Sequence, residues 1–136
     1  MSAKFFCYLF PLHGGIFIKV SNSTNINPNY LLKQFLENGR SDKSFTHIVK
    51  ATGGLVYGSA LRRTKNSALA DEVTQIVFII LAKKAESLSK HPSINSWLYR
   101  TTSYEAEKVL RKEKRHQRRV EKFINESIQD LSLIHI

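Results

Sequence analysis

Apolar side chains recur at three- and four-residue spacing from residue 31 onwards, which is the pattern of amphipathic helices. Asn27 can cap a first predicted helix that has Pro28 at its first position, and Gly39 ends that helix. A second helix is predicted to begin near Ser44. Its apolar positions, which keep the same spacing, are Phe45, Ile48, Val49, Leu55, Val56 and Ala60.

The third predicted helix follows Asn66 and Ser67 and runs to about Ser89. Asp71 and Glu72 are expected in its first turn, where the helix dipole favours negative charge. Its apolar residues occupy two faces: Val73, Ile76, Val77, Ile80 and Leu81 form one, and Phe78, Ile79 and Ala82 form the other. The first face is therefore expected in the core, and the second either meets a partner or adds to the core.

Ser93 can cap a long fourth helix. Its predicted inward positions are Ile94, Trp97, Leu98 and Thr101, followed by Tyr104 or Glu105. Residues 108–122 then carry eight Lys or Arg against Glu113 and Glu121. We interpret this run as a surface for a polyanion rather than only a solvated helix end. Amphipathic spacing resumes beyond it, at Val120, Phe123, Ile124, Ile128 and Leu131, and predicts a further helix or a docking segment.

These patterns divide the chain into three parts. Residues 1–26 are predicted to be a poorly specified leader and linker, and residues 27–123 a helical domain. We expect residues 124–136 to be a tail that is truncated or artefactual. The predicted fold class is all-α, with about four helices in a bundle and a basic helical extension.

Composition changes this picture mainly through charge. The 136 residues carry 21 Lys and Arg against 11 Asp and Glu, a formal net charge of +10. Such an excess favours a polyanionic partner, either nucleic acid or an anionic membrane surface. Cys7 is the only cysteine, so no internal disulfide can form and a reducing, cytoplasmic location is expected. The chain lacks an uninterrupted apolar run of about 18 residues, so we predict no membrane span.

Sequence signatures of catalysis are absent. The chain contains no phosphate-binding loop, no dinucleotide fingerprint and no nucleophile elbow. The five histidines are scattered, and none has another metal ligand four residues away on a predicted helix. We therefore predict a binding protein, not an enzyme, without cofactor or metal.

The chain resembles region 2 of bacterial sigma factors, specifically the extracytoplasmic-function group of the sigma-70 family, in two strings. The first is ADEVTQIVF at residues 70–78, and the second is SWLYRT at residues 96–101, which the basic helix follows. The resemblance extends in order from Tyr30 to Phe123. It implies a helical region 2-type domain that joins bacterial RNA polymerase core and recognises and melts the promoter −10 element. It also implies that the C-terminal region 4, which reads the −35 element, is missing.

The resemblance places the third helix on the surface that docks on the clamp helices of the polymerase's largest subunit. The candidate polymerase contacts are Asp71, Glu72, Gln75 and Phe78. Carboxylates can pair with arginines on a partner, and an apolar ring can anchor an interface. Dipole compensation for the carboxylates and core packing for the ring stay open as the alternative roles.

The resemblance also implies that residues 89–104 capture an unpaired base of the non-template strand. Polar and aromatic side chains there are the candidate DNA contacts: Lys90, His91, Asn95, Tyr99, Arg100 and Tyr104. Trp97 is expected in the core. Phosphate contacts would come from the basic helix, through Lys108, Arg111, Lys112 and Arg115.

Two other classes of protein stay open. A basic helical nucleic-acid-binding protein without a polymerase partner would use the same basic helix and give no role to Asp71, Glu72 or Gln75. A membrane-surface protein would use the apolar leader together with the basic helix. An anti-sigma factor is a further partner that the resemblance allows.

Overall fold

The computed structural model describes residues 27–134, and its regular structure in that range is entirely helical. The helices are α1 (Pro28–Glu37), α2 (Asp42–Thr64), α3 (Ser67–Lys83), α4 (Ala85–Leu88) and α5 (Ile94–Ile134). The helices α2, α3 and α5 pack against one another, and α1 packs mainly on α2. This arrangement confirms the all-α prediction. The predicted leader at residues 1–26 lies outside the described residues.

Side-chain caps fix where the main helices begin. The side-chain oxygens of Asn27, Ser41 and Asn66 each accept a hydrogen bond from a backbone N–H two or three residues later. Ser93 does the same for α5, with its Oγ 3.3 Å from the backbone N of the residue three positions on. The predicted starts at Asn27, Asn66 and Ser93 are confirmed, and α2 begins slightly earlier than predicted because Ser41 supplies its cap.

The core lies where α1, α2, α3 and α5 meet. The rings of Phe35 and Phe45 have centroids 5.4 Å apart, and Phe45 also meets Phe78 edge-on at 6.3 Å. Burying a side chain of this kind contributes about 1.5–3 kcal/mol. Trp97 is partly buried against this cluster, as expected. Within residues 27–134, every buried side-chain nitrogen or oxygen has a hydrogen-bond partner.

The third helix differs from its prediction at both ends. It stops at Lys83, because Lys84 leaves the helical conformation at φ −99° and ψ 10°, and the short α4 follows. At the other end, Ser67 is the first helical residue, so Asp71 and Glu72 lie in the second turn and not in the first. The dipole at the helix start therefore stabilises their charges less than predicted, since that effect falls off within one turn.

The inward positions of α5 are partly as predicted. Ile94 and Leu98 are fully buried, but Thr102 is buried in place of the predicted Thr101. Of the two alternatives, Glu105 faces inward, while Tyr104 is 59% exposed. The helix does not end after the basic run but continues unbroken to Ile134, so the predicted boundary at residue 123 falls inside a 41-residue helix. None of the described helices is long and apolar enough to cross a bilayer.

Candidate nucleic-acid and polymerase interface

One exposed face of α5 carries five of the ten predicted DNA-binding residues. Side chains four and three positions apart on a helix lie above one another, and this spacing relates Arg100, Tyr104, Lys108, Arg111 and Arg115. Each of them is exposed. The stripe from residue 100 to residue 115 is about 22 Å long at about 1.5 Å per residue. It is a continuous positive strip with one aromatic ring in it.

Lys108 is the most firmly held cation of this stripe. Its Nζ lies 5.4 Å from the centre of the Tyr104 ring and 3.4 Å from Oε2 of Glu105. Glu105 is buried, whereas Lys108 is half exposed. The ammonium is therefore partly neutralised within the protein, and Arg111 and Arg115 offer the freer positive charges for a phosphate.

A groove between α3 and α5 runs beside the basic stripe. One part of it, about 480 Å³, is lined by Glu72 and Ile76 of α3 and by Lys108, Arg111 and Lys112 of α5, among others. Within it, Nζ of Lys112 lies 3.9 Å from Oε1 of Glu72. A residue predicted to meet polymerase and a residue predicted to meet DNA thus face each other across one groove.

Asp71 does not line this part of the groove, and its charge acts on Tyr57 of α2. Burial raises the pKa of the Tyr57 hydroxyl above its ordinary value of 10.0, and the nearby negative charge of Asp71 raises it further. Asp71 and Gln75 are both partly buried and lie one turn apart on α3. The predicted polymerase contacts therefore divide into Glu72 at the groove and Asp71 with Gln75 on the adjacent side.

Phe78 does not belong to the surface that was predicted for polymerase. Its side chain is 0% exposed and packs edge-on against Phe45 in the core. A ring with no accessible area cannot anchor a partner, so the expectation for Phe78 is wrong and its alternative role in the core is the correct one. On the same helix it is the neighbouring Ile79 that is exposed, at 39%.

The loop before α5 is tied to α1 by Asn29. The Asn29 Nδ2 donates to the carbonyl oxygens of His91, at 2.9 Å, and Pro92, at 3.3 Å, and its Oδ1 accepts from the backbone N of Ile94 at 3.1 Å. Asn29 is thus a positioning residue that the sequence analysis missed. Its contacts join positions more than 60 residues apart, and nothing in the local sequence signals them.

The ring of His91 also serves this loop. Its Nδ1 accepts a hydrogen bond from the backbone N of Ser93 at 3.1 Å, and its side chain is partly buried. Lys90 beside it is exposed, and both line a cleft of about 580 Å³ against α1. Asn95 and Tyr99 are exposed one turn apart at the start of α5, on a different face from the stripe. The structure therefore separates the predicted DNA contacts into the loop, this first turn, the basic stripe and Lys112 in the groove.

A family model for sigma-70 region 2 matches residues 48–116, which is half of the chain. The chain belongs to the sigma-70 region 2 family. This sigma region 2 accordingly has a role in transcription initiation and associates with RNA polymerase core. No curated protein and no solved structure gives a significant match to the chain.

The matched segment of this sigma region 2 begins within α2 and ends in the basic part of α5. It contains α3, the loop at residues 89–93 and every predicted contact from Asp71 to Arg115. The helix α1, with Asn29, and the end of α5 lie outside it. The segment that carries the family match is thus also the segment that carries the groove and the basic stripe.

Proposed function

We propose that this sigma region 2 acts in the bacterial cytoplasm, docks on the clamp helices of RNA polymerase through α3, and holds the opened −10 element along α5. The observation that carries the proposal is the shared exposed face of Arg100, Tyr104, Lys108, Arg111 and Arg115 within the matched segment. Cations along one face of a helix suit the phosphates of a single strand.

The residues before the basic stripe suit unpaired bases. Tyr99 and Tyr104 present exposed rings on which bases can stack, and stacking contributes about 1–3 kcal/mol per base. Asn95, Lys90 and His91 offer polar groups for base edges near the start of α5. Opening the duplex needs no catalytic residue on this route, because binding of the opened strand offsets the cost of unstacking.

The polymerase surface is proposed on the exposed part of α3. The Glu72 carboxylate has 43% of its side chain exposed and can pair with an arginine of the clamp helices. Asp71 and Gln75 add a carboxylate and an amide on the adjacent side. Phe78 has no part in this surface, because it is buried.

A titration with a purified clamp-helix fragment of bacterial RNA polymerase tests the polymerase contact. We expect the unmodified chain to bind saturably and Glu72→Lys to bind at least about 10-fold more weakly, since a buried or half-buried charge pair contributes more than 1.4 kcal/mol. The matched control is Glu86→Lys, which reverses an exposed carboxylate that pairs with Arg40 at 3.7 Å outside the groove. Equal losses in the two variants, or no binding by the folded chain, would refute the contact.

The salt dependence of single-strand binding tests the basic stripe. Replacing both Arg111 and Arg115 by Gln should flatten the log–log slope of affinity against salt by about 1.4, at about 0.7 for each lost phosphate contact. Lys43→Gln is the control, because Lys43 is exposed at the start of α2 and lines no part of the groove. An unchanged slope in the double variant would refute the stripe. A flattened slope without clamp-helix binding would favour a nucleic-acid-binding protein that lacks the polymerase partner.

A further inference from the structure

The last third of α5 carries an apolar stripe that nothing in the described structure covers. Val120, Ile124, Ile128 and Leu131 are 42–58% exposed, and their spacing of four, four and three residues places them on one face. Phe123 lies at the edge of this face with 70% of its surface exposed. Contiguous apolar area of this kind marks an interaction surface. We call these residues the terminal stripe.

The terminal stripe continues the face by which α5 packs on the bundle. Ala106 and Val109 are buried on that face, and Val120 and Ile124 follow it at helical intervals beyond the end of the core. The basic residues Arg115 and Lys122 lie on the opposite side of the helix by the same spacing. The terminal stripe is therefore separate from the surface proposed for DNA.

Charge is distributed unequally along this part of the helix. Residues 114–122 carry five basic side chains against Glu121, whereas residues 123–134 carry no basic side chain and two carboxylates, Asp130 and Glu126. Glu126 already lies 3.9 Å from Nζ of Lys122 on the same helix, so Asp130 is the carboxylate more available to a second chain. Two such helices side by side in the same direction would place the two basic ends together. In opposite directions, the basic end of each lies against the acidic end of the other, and the helix dipoles are also complementary.

We propose that the terminal stripe pairs with the terminal stripe of a second copy of this chain, in antiparallel orientation. The pairing aligns Val120 with Leu131 of the second copy and Ile124 with Ser127 and Ile128, in the manner of a short coiled coil. The two basic bundles then lie at opposite ends of the helix pair, which keeps their net charges apart. This inference does not depend on the proposed promoter and polymerase contacts.

Sedimentation equilibrium of the full chain tests the association. An interface of this length is small, so we expect a dissociation constant in the micromolar range. Ile124→Asp with Ile128→Asp should weaken the association at least about 100-fold, because two carboxylates would be buried without partners. Leu133→Asp is the matched control, since Leu133 is 68% exposed on the far side of the helix and should leave the dimer intact. Far-UV circular dichroism checks that all variants keep their helices.

Disulfide cross-linking tests the orientation. Two chains of different size are made, both with Cys7→Ser, one with Val120→Cys and the other with Leu131→Cys. The antiparallel pairing predicts a cross-link between the two different chains under mild oxidation, whereas a parallel pairing predicts cross-links between identical chains.

Three outcomes would overturn the proposal. The first is a monomer at every concentration up to about 500 µM, far above a micromolar dissociation constant, whether the terminal stripe is covered by residues 1–26 or by another protein. The second is a dimer that the double aspartate variant does not weaken. The third is a set of cross-links only between identical chains.

Discussion

The ammonium of Lys112 lies 3.9 Å from a carboxylate oxygen of Glu72, across the groove between α3 and α5. Both side chains are substantially exposed, so the pair itself contributes at most about 1 kcal/mol to stability. Its significance is its position, because it joins a group proposed for polymerase to a group proposed for DNA. A partner that binds one of these two side chains separates the pair and leaves the charge of the other side chain available for a second partner.

Neutralising Glu72 should therefore strengthen single-strand binding. We expect Glu72→Gln to raise the affinity for a single-stranded oligonucleotide about threefold at low salt, because Lys112 loses its competing carboxylate, and the gain should shrink at high salt. Fluorescence anisotropy at two salt concentrations measures this effect. Glu86→Gln, outside the groove, should change the affinity less. An unchanged affinity in Glu72→Gln would show that Lys112 lies outside the DNA surface.

The hydrogen bonds of Asn29 should be needed for the position of the loop before α5. Asn29→Ala leaves the carbonyls of His91 and Pro92 and the N–H of Ile94 without this partner, so we expect a loss of about 1–3 kcal/mol of stability. Thermal unfolding measures the loss, and faster amide hydrogen exchange at residues 89–94 would locate it. Gln34→Ala is the control on α1, since its Nε2 donates only to the exposed Tyr30 hydroxyl. Equal effects in the two variants would contradict the positioning role.

Phe78 should behave as a core residue and not as a partner contact. Phe78→Ala should cost about 3–5 kcal/mol of stability, because it leaves a cavity beside Phe45. Ile79→Ala, on the exposed side of α3, should cost clearly less. Urea unfolding of both variants measures the two losses. A small loss for Phe78→Ala would mean that the ring is not packed as the structure shows.

Alkaline pH should destabilise the fold through Tyr57. Its pKa in the folded state is raised above 10.0 by burial first and by Asp71 second. The unfolded chain therefore releases this proton at a lower pH than the folded chain does, so this contribution is fully present below pH 10.0 and is lost as the pH rises toward the raised pKa. The loss of unfolding free energy between about pH 8 and about pH 10.5 should be smaller in Tyr57→Phe than in the unmodified chain. The exposed Tyr30, changed to Phe, should leave that loss unchanged.

The parts of the fold that local chemistry determines were predictable from the sequence. Asn27, Asn66 and Ser93 begin their helices as expected because a cap acts within three residues of itself. The break at Lys84 was missed, because Leu81, Ala85 and Leu88 keep helical spacing across it and the apolar pattern shows no interruption.

The side chains of the site were less predictable because their roles depend on distant parts of the chain. The helix α3 is apolar around most of its surface, so spacing alone could not distinguish the buried Phe78 from the exposed Ile79. Spacing also could not predict the contact of Glu72 with Lys112, because it joins residues 40 positions apart. The density of the basic run, by contrast, was enough to predict an exposed cationic surface without any tertiary information.

Because α5 is continuous from Ile94 to Ile134, the angle between its basic stripe and its terminal stripe is fixed by the number of residues that separate them. One residue inserted between the two surfaces would turn one against the other by about 100°, which is one step of a helix with 3.6 residues per turn. Seven inserted residues would restore the angle nearly completely and move the terminal stripe about 10 Å further from the bundle. The composition of each surface determines what it can bind. The number of residues between the two surfaces determines their relative direction.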